Sequence, residues 1–206
     1  MKHIILATTS PRRISLFKLL GIPFRAVDSR YREHFSKQIP PEKIVRQLSR
    51  GKATAVSRRH PNAIVIGADT VVVYGKRILG KPKAKYKAIA MLRMLNGKKA
   101  SVITGITVIV PQRAKINSQT VTTRVFMKQY DEDTIRNYVA TGEPLDKAGA
   151  FAIQGHGRRL VKKVVGDFNN VVGLPVKTLG KMLKQFGVPV VPFYGRPPNI
   201  TKPRKR

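Results

Sequence analysis

The sequence predicts an α/β fold built on one mixed, twisted sheet. Three observations lead there. Strand-like and helix-like segments alternate through the first half of the chain, strands follow one another directly later on, and no apolar run approaches the ~20 residues that cross a bilayer. With 206 residues, 42% of them hydrophobic, the chain can bury a sizeable core as one domain or as two small lobes sharing a core.

The elements follow in order. His3-Ile4-Ile5-Leu6-Ala7 is nearly all apolar, as in a strand buried on both faces. Thr8-Thr9-Ser10-Pro11 supplies a turn, a candidate N-cap and a proline at the first helical position. Ile14, Phe17 and Leu20 continue at helical spacing until Gly21. Phe24 to Val27 reads as a second strand and residues 28–39 as a polar loop. Pro41-Glu42 opens a helix with Ile44, Val45, Leu48 and Ala55 on its apolar stripe. Residues 63–73 are β-rich, with a Gly67-Ala68 break before Asp69. Gly75-Lys76 reads as a hairpin turn into Arg77-Ile78-Leu79. A helix from Tyr86 to Leu95 ends at Asn96-Gly97. Two strands follow, Ser101 to Val110 and Thr120 to Met127, joined by a polar loop. Asp131-Glu132-Asp133 begin a helix reaching Ala140, where negative charge suits the helix dipole. Residues 148–172 are glycine-rich with short strands expected, and Pro175 starts a last helix that stops near Gly187. The folded unit is expected over residues 1–187, and residues 188–206 form a basic, proline-rich tail ending in Lys202-Pro203-Arg204-Lys205-Arg206.

Charge is the anomaly. Lys and Arg number 41 against 10 Asp and Glu, a formal net charge of +31. Such an excess attracts polyanions, whether nucleic acid, anionic lipid or phosphorylated small molecules. The basic residues are spread along the whole chain and form no single block, which favours a solvated basic surface over one nucleic-acid face. Cysteine is absent, which excludes disulfides and thiolate metal sites and fits a reducing, cytoplasmic setting. The short N-terminal apolar stretch lacks a signal-peptide pattern and reads as a buried strand. Before residue 130 the only carboxylates are Asp28, Glu33, Glu42 and Asp69, so each draws attention.

Five constellations can carry chemistry. Ser10, Arg12 and Arg13 sit at a strand-to-helix turn, where free backbone N–H groups, a helix dipole and two guanidinium groups suit phosphate; from these residues alone an ordinary capped helix with solvated arginines is the commoner arrangement. Asp69 and Thr70 follow small residues on a buried strand, at a place where α/β folds put ligands, though an aspartate there can also cap a turn. Lys81, held between Gly80 and Pro82, and Lys52 suit phosphate oxygens, yet any single lysine of so basic a chain can be surface. Gln154, after an expected apolar strand, can read a base edge through its amide or sit in a loop. The G-x-x-x-x-G-K-[ST] and G-x-G-x-x-G phosphate loops and the G-x-S-x-G elbow are absent, and the four histidines show no metal spacing.

These pieces occur in an order that resembles the Maf family of nucleotide pyrophosphatases. The matching stretches are Ile5 to Arg13, Glu33 in its loop, Arg50-Gly51-Lys52-Ala53, Ile66 to Val72, Leu79-Gly80-Lys81-Pro82, Met91-Leu92-Arg93, Tyr138 to Gly155 and Gly166 to Pro175, and the likeness runs from about residue 3 to about 186. The resemblance implies an inosine-triphosphatase-like fold with two lobes and a central cleft, and often a homodimer. It also implies a divalent cation (Mg²⁺ or Mn²⁺) and cleavage of a nucleoside triphosphate to the monophosphate and pyrophosphate. Carried onto this sequence, it gives Asp69, Glu33, Lys81 and Lys52 as catalytic residues and Glu33 and Asp69 as metal ligands. Ser10, Arg12, Arg13, Thr70 and Gln154 become substrate-binding residues. Arg12, Thr70 and Gln154 match the branch that acts on dTTP and UTP, whereas the branch linked to 7-methyl-GTP has Trp, Gln and Glu there. The chain departs from the family at Phe126-Met127, where Phe-Arg is usual. The competing expectation is a nucleic-acid-binding protein on the same fold, and nonspecific nucleic-acid contact through the basic surface is expected in either case. No membrane association is expected.

Overall fold

Seven strands form one mixed sheet in a computed structural model that describes residues 3–34 and 39–190. The elements are β1 (His3–Ala7), α1 (Pro11–Lys18), β2 (Arg25–Val27), α2 (Pro41–Ser57), β3 (Ala63–Tyr74), β4 (Arg77–Leu79), α3 (Lys85–Leu95), β5 (Lys99–Val110), β6 (Lys115–Met127), α4 (Glu132–Ala140), β7 (Val161–Val165), α5 (Phe168–Val172) and α6 (Val176–Gln185). The strand order is β2-β1-β3-β5-β6-β7, with β4 added to β3. β1 is parallel to both β2 and β3, and the other pairings are antiparallel. The mixed α/β sheet expected from the sequence is therefore present.

Local signals account for many boundaries. Pro11 occupies the first turn of α1, and Gly21 adopts φ 63° just past its end. Gly75, at φ 56°, turns β3 into β4 with Tyr74 opposite Arg77. Asp131 caps α4 by accepting from the Thr134 N–H at 2.8 Å, and Glu132 and Asp133 fill its first turn. Placing acids at the positive end of the helix dipole stabilises it.

Three expectations need correction. β3 runs unbroken through Gly67-Ala68, because the glycine serves a tertiary contact: a Cβ there would stand 2.2 Å from Ser49 O of α2. Residues 148–160 are mainly 3₁₀ turns, at Ala148–Ala150 and Gly155–Leu160, so Gln154 follows no strand. Ala55 is only half-buried, and Ala53 and Val56 complete the buried stripe of α2.

α2 covers one face of the sheet. It lies in a groove made by Gly67 of β3 and Gly105 of β5, where a Cβ on Gly105 would meet Val45 O at 2.2 Å. The opposite face carries two separate apolar clusters along the long strands β3 and β5. One joins Leu16, Phe17, Leu179 and Leu183 of α1 and α6 to Ile64, Ile66, Ile106 and Val108. The other joins Ala88, Leu92, Ile135 and Val139 of α3 and α4 to Val72, Val102 and Val125. These are the two lobes, and the cleft lies between them. Val188 is buried and Val190 packs on the α1–α6 cluster, while the proline-rich stretch from residue 191 lies outside the described residues. No helix among the described residues is long and apolar enough to cross a membrane.

Candidate active site

The site sits at an interruption along one edge of β3. Its parallel neighbour β1 pairs with it only as far as Leu6 opposite Ile66. Its antiparallel neighbour β4 ends at Leu79, opposite Val72, and pairs with it only from there to Tyr74. Residues 67–71 therefore carry no strand partner on that edge among the described residues. Because β1 and β4 run in opposite directions, both of their C-terminal ends face this gap. The turn after β1 delivers Ser10, Arg12 and Arg13, and the turn after β4 delivers Lys81. α/β sheets place ligands at such carboxyl ends of strands.

Asp69 and Thr70, adjacent in β3, point to opposite faces, as strand geometry requires. Asp69 faces α2, where Lys52 Nζ donates to its Oδ1 at 2.5 Å and meets Glu33 Oε1 at 2.6 Å. The Lys52 and Asp69 side chains are 12% and 11% exposed and that of Glu33 is 47% exposed, so the pair inside the fold is tied to a loop at the surface. Tyr31 sets that loop: its ring lies where a Cβ on Gly51 would be, 2.3 Å from Cζ. Gly51 thus lets the loop lie flat on α2 and bring Glu33 to Lys52.

Thr70 faces the opposite side of the sheet, against Thr104 and Gly173. Its Oγ1 accepts from Arg13 Nη2 at 3.1 Å, and Arg13 Nε donates to Gly173 O at 2.9 Å. Burial pulls the Arg13 pKa below its ordinary value and the nearby Asp69 charge pushes it back up; a guanidinium there stays charged. Arg12 reaches across the cleft, with Nη1 on Asp146 Oδ2 at 2.9 Å and Nη2 on Asp146 O at 3.3 Å. Lys147 Nζ holds the other carboxylate oxygen at 2.6 Å. Burial alone would raise the Asp146 pKa, but hydrogen bonds from Lys147 and Arg12 outweigh it and bring it to about 2.

Two adjoining cavities share Ser10, Arg12, Arg13, Lys81 and Asp146. One of about 430 Å³ includes Lys52 and Glu33, and one of about 140 Å³ includes Thr70, Val72, Phe151 and Gly173. Asp69 is buried behind the first wall and reaches it through Lys52. A further cavity of about 520 Å³, between Ile4, Phe24 and His60 at the far end of β1, holds none of the expected residues.

The structure therefore brings together Ser10, Arg12, Arg13, Glu33, Lys52, Asp69, Thr70 and Lys81. Gln154 is half-buried before the Gly155–Leu160 turn, three residues past cavity-lining Phe151, and lines neither cavity. Met127, where the family's Phe-Arg is missing, is buried in the α3–α4 cluster. Sequence reasoning does not reach Asp146 and Lys147 as cleft residues or Gly51 as a loop seat. A glycine inside an otherwise good helix is the one available signal, because it costs about 1 kcal/mol unless something needs the space.

Five cations, Arg12, Arg13, Lys52, Lys81 and Lys147, thus converge with three carboxylates, Glu33, Asp69 and Asp146. That balance suits a ligand bearing several negative charges.

Comparison with known proteins agrees with this chemistry. The model of the family described as Maf-like protein matches residues 3–186. A dTTP/UTP pyrophosphatase of Methanosarcina mazei is 46% identical over 191 residues, 92% of this chain and 97% of the relative. Proteins of the same name from Geobacillus sp. and Pelotomaculum thermopropionicum are 44% and 46% identical, covering 91% and 93% of this chain and 100% of each relative. Among solved structures, the Staphylococcus aureus Ham1 protein matches with a TM-score of 0.51 at 17% identity, over 90% of this chain and 100% of that one, a likeness of fold. With the family model spanning nearly the whole folded unit and relatives this similar over almost their full length, the chain belongs to the Maf family.

Proposed function

We propose that this protein is a pyrophosphatase that hydrolyses dTTP and UTP to the nucleoside monophosphate and pyrophosphate. The observation that carries the reading is the gap along β3, where Lys52 joins two carboxylates on one side and four further cations line the other walls. The relatives named dTTP/UTP pyrophosphatase support the substrate class, as does the identity of Arg12 and Thr70.

Phosphoryl chemistry of this kind needs positioning and charge neutralisation more than covalent catalysis. Arg13, Lys52 and Lys81 hold triphosphate oxygens. Ser10 and the N–H groups opening α1 complete the cradle. Asp69 orients the water that attacks the α-phosphorus and accepts its proton as the new P–O bond forms. The bond from the α-phosphorus to the bridging oxygen breaks, and pyrophosphate leaves with that electron pair. Glu33 and Asp69 also fit a divalent cation: two carboxylate oxygens already share one ammonium, and with substrate phosphates they offer the hard oxygen donors that Mg²⁺ or Mn²⁺ takes. No cluster of three or more His, Cys, Asp or Glu exists among the described residues, so such an ion would complete its shell with phosphate oxygens and water. When bound, it would supply charge neutralisation.

The test is pyrophosphate release with Mg²⁺ across dTTP, UTP, CTP, 7-methyl-GTP and ITP. Release from dTTP and UTP, reduced by at least about 100-fold in Asp69→Asn, is expected. Release unchanged in Asp69→Asn would overturn the mechanism, and a preference for 7-methyl-GTP would overturn the substrate class.

A further inference from the structure

Arg13 is held by a chain of buried hydroxyls that leads away from the cleft, along the sheet face opposite α2, to a residue with no place in the chemistry above. Thr104 and Asn170 are fully buried, and so is Thr123. Thr104 Oγ1 donates to Asn170 O at 3.3 Å. Having spent its one proton there, Thr104 accepts from Thr70 Oγ1, 2.9 Å away. Thr70 in turn has its lone pair free for Arg13 Nη2. Each hydroxyl has one donor position; with Thr104 donating to Asn170 O the chain runs from Arg13 to Thr70 to Thr104 to the Asn170 carbonyl, and Gly173 O, 3.5 Å from Thr70 Oγ1, is the longer alternative acceptor for the Thr70 proton.

The far end is anchored as well. The Asn170 side-chain amide donates to Val102 O at 3.0 Å and to Thr123 Oγ1 at 3.0 Å, and Thr123 donates to Asp167 O at 3.0 Å. Asp167 caps α5 through the N–H groups of Asn169 and Asn170. The same short helix ends at Gly173, whose carbonyl takes the second Arg13 hydrogen bond. Both contacts on Arg13 are thus referred to one rigid piece, α5 pinned onto β5 and β6. The Asn170 side-chain oxygen is buried without a partner among the described residues, a cost that an apolar residue would avoid and that the two donated bonds offset.

We propose that Thr104 and Asn170 are positioning residues: through Thr70 and Gly173 they fix the plane of the Arg13 guanidinium, leaving its remaining N–H groups aimed at a substrate phosphate. The inference deepens the pyrophosphatase reading, on which it rests, and names two residues that no contact with substrate would reveal.

The test is a double-mutant cycle between Thr104→Val and Arg13→Lys, with Thr104→Ser as rescue. Thr104→Val keeps shape and removes the hydroxyl, so kcat/KM for UTP falls about tenfold, mostly in KM, because the phosphate contact exists in the ground state too. Thr104→Ser stays within about twofold of wild type. In the Arg13→Lys background, where the guanidinium plane is gone, Thr104→Val changes kcat/KM by less than about twofold. An unchanged kcat/KM in Thr104→Val, or the same tenfold loss in the Arg13→Lys background, overturns the proposal. If Thr104→Val does not fold, Thr123→Val enters the same cycle, and the same two results support or overturn the proposal. UTP affinity measured without divalent cation gives a second readout. Should the wild type release no pyrophosphate, the activity reading fails, and coupling in affinity still decides the role of Thr104.

Discussion

Gly51→Ala separates function from stability with one methyl group. The new Cβ would stand 2.3 Å from Tyr31 Cζ and 2.6 and 2.7 Å from its two neighbouring ring carbons. Ordinary contact begins at 3.4 Å, so the ring must retreat by roughly 1 Å or more. The obstacle is a side chain on a loop, so the loop yields before the helix does. Alanine inside α2 gains about 1 kcal/mol of helix propensity over glycine, and the loosened packing of Tyr31 costs a similar amount. Unfolding free energy therefore moves by less than about 1 kcal/mol. Glu33, two residues beyond Tyr31, moves with the ring and leaves Lys52. A misplacement of about 1 Å in a reacting constellation costs up to about 100-fold in rate, so kcat/KM for UTP is expected to fall by about 10- to 100-fold. Urea unfolding and pyrophosphate release on one preparation check both halves. Full activity would refute the role assigned to the Tyr31 loop. A loss of several kcal/mol would show that α2 yields and the loop does not.

Gly67→Ala and Gly105→Ala behave differently, since each new Cβ meets backbone of α2 at 2.2 Å; both should destabilise by at least about 2 kcal/mol, read as a lowered Tm. For Asp146, burial favours a higher pKa and hydrogen bonds from Lys147 and Arg12 bring it to about 2, against an ordinary 3.8. A carboxylate with a lowered pKa contributes stability above its unfolded value and loses it as pH falls through the folded one. Wild type minus Asp146→Asn should therefore shrink between about pH 4 and pH 2, followed by urea unfolding. The side chain is 63% exposed, so the difference is small and salt-sensitive.

What the sequence makes legible is local. The proline at the start of α1, the Gly75-Lys76 turn and the Asp131 cap each act within a few residues, and their elements lie where the pattern puts them. Gly67 misleads because its reason, the backbone of α2 at Ser49 and Ala53, lies outside its own strand and no local rule reports it. The region 148–160 misleads because glycines interrupt an apolar pattern that strands and 3₁₀ turns share. The site is legible in its charged members, since carboxylates are scarce before residue 130 and stand out. Asp146, Thr104 and Asn170 are not, because their partners lie 134, 34 and 66 positions away along the chain. Neutral hydroxyls and a carbonyl carry no sign of such a link.

Asp69 and Thr70 show why strand register belongs to the site. Successive residues of a strand face opposite sides, so one peptide unit delivers a carboxylate to Lys52 and Glu33 on the α2 face and a hydroxyl to Arg13 on the other. On the proposed reading, a ligand in the gap where β3 lacks an edge partner would meet Lys52 and Glu33 from the α2 face and Arg13 and Thr70 from the other. A slip of one residue would exchange the two side chains and put the carboxylate against Thr104 and the apolar lobe. The pairing that prevents it sets Asp69 opposite Gly105 and Thr70 opposite Thr104. Gly105 is also where α2 comes down onto the sheet, so the contact that seats the helix carrying Lys52 holds β5 at the register that aims Asp69 toward it.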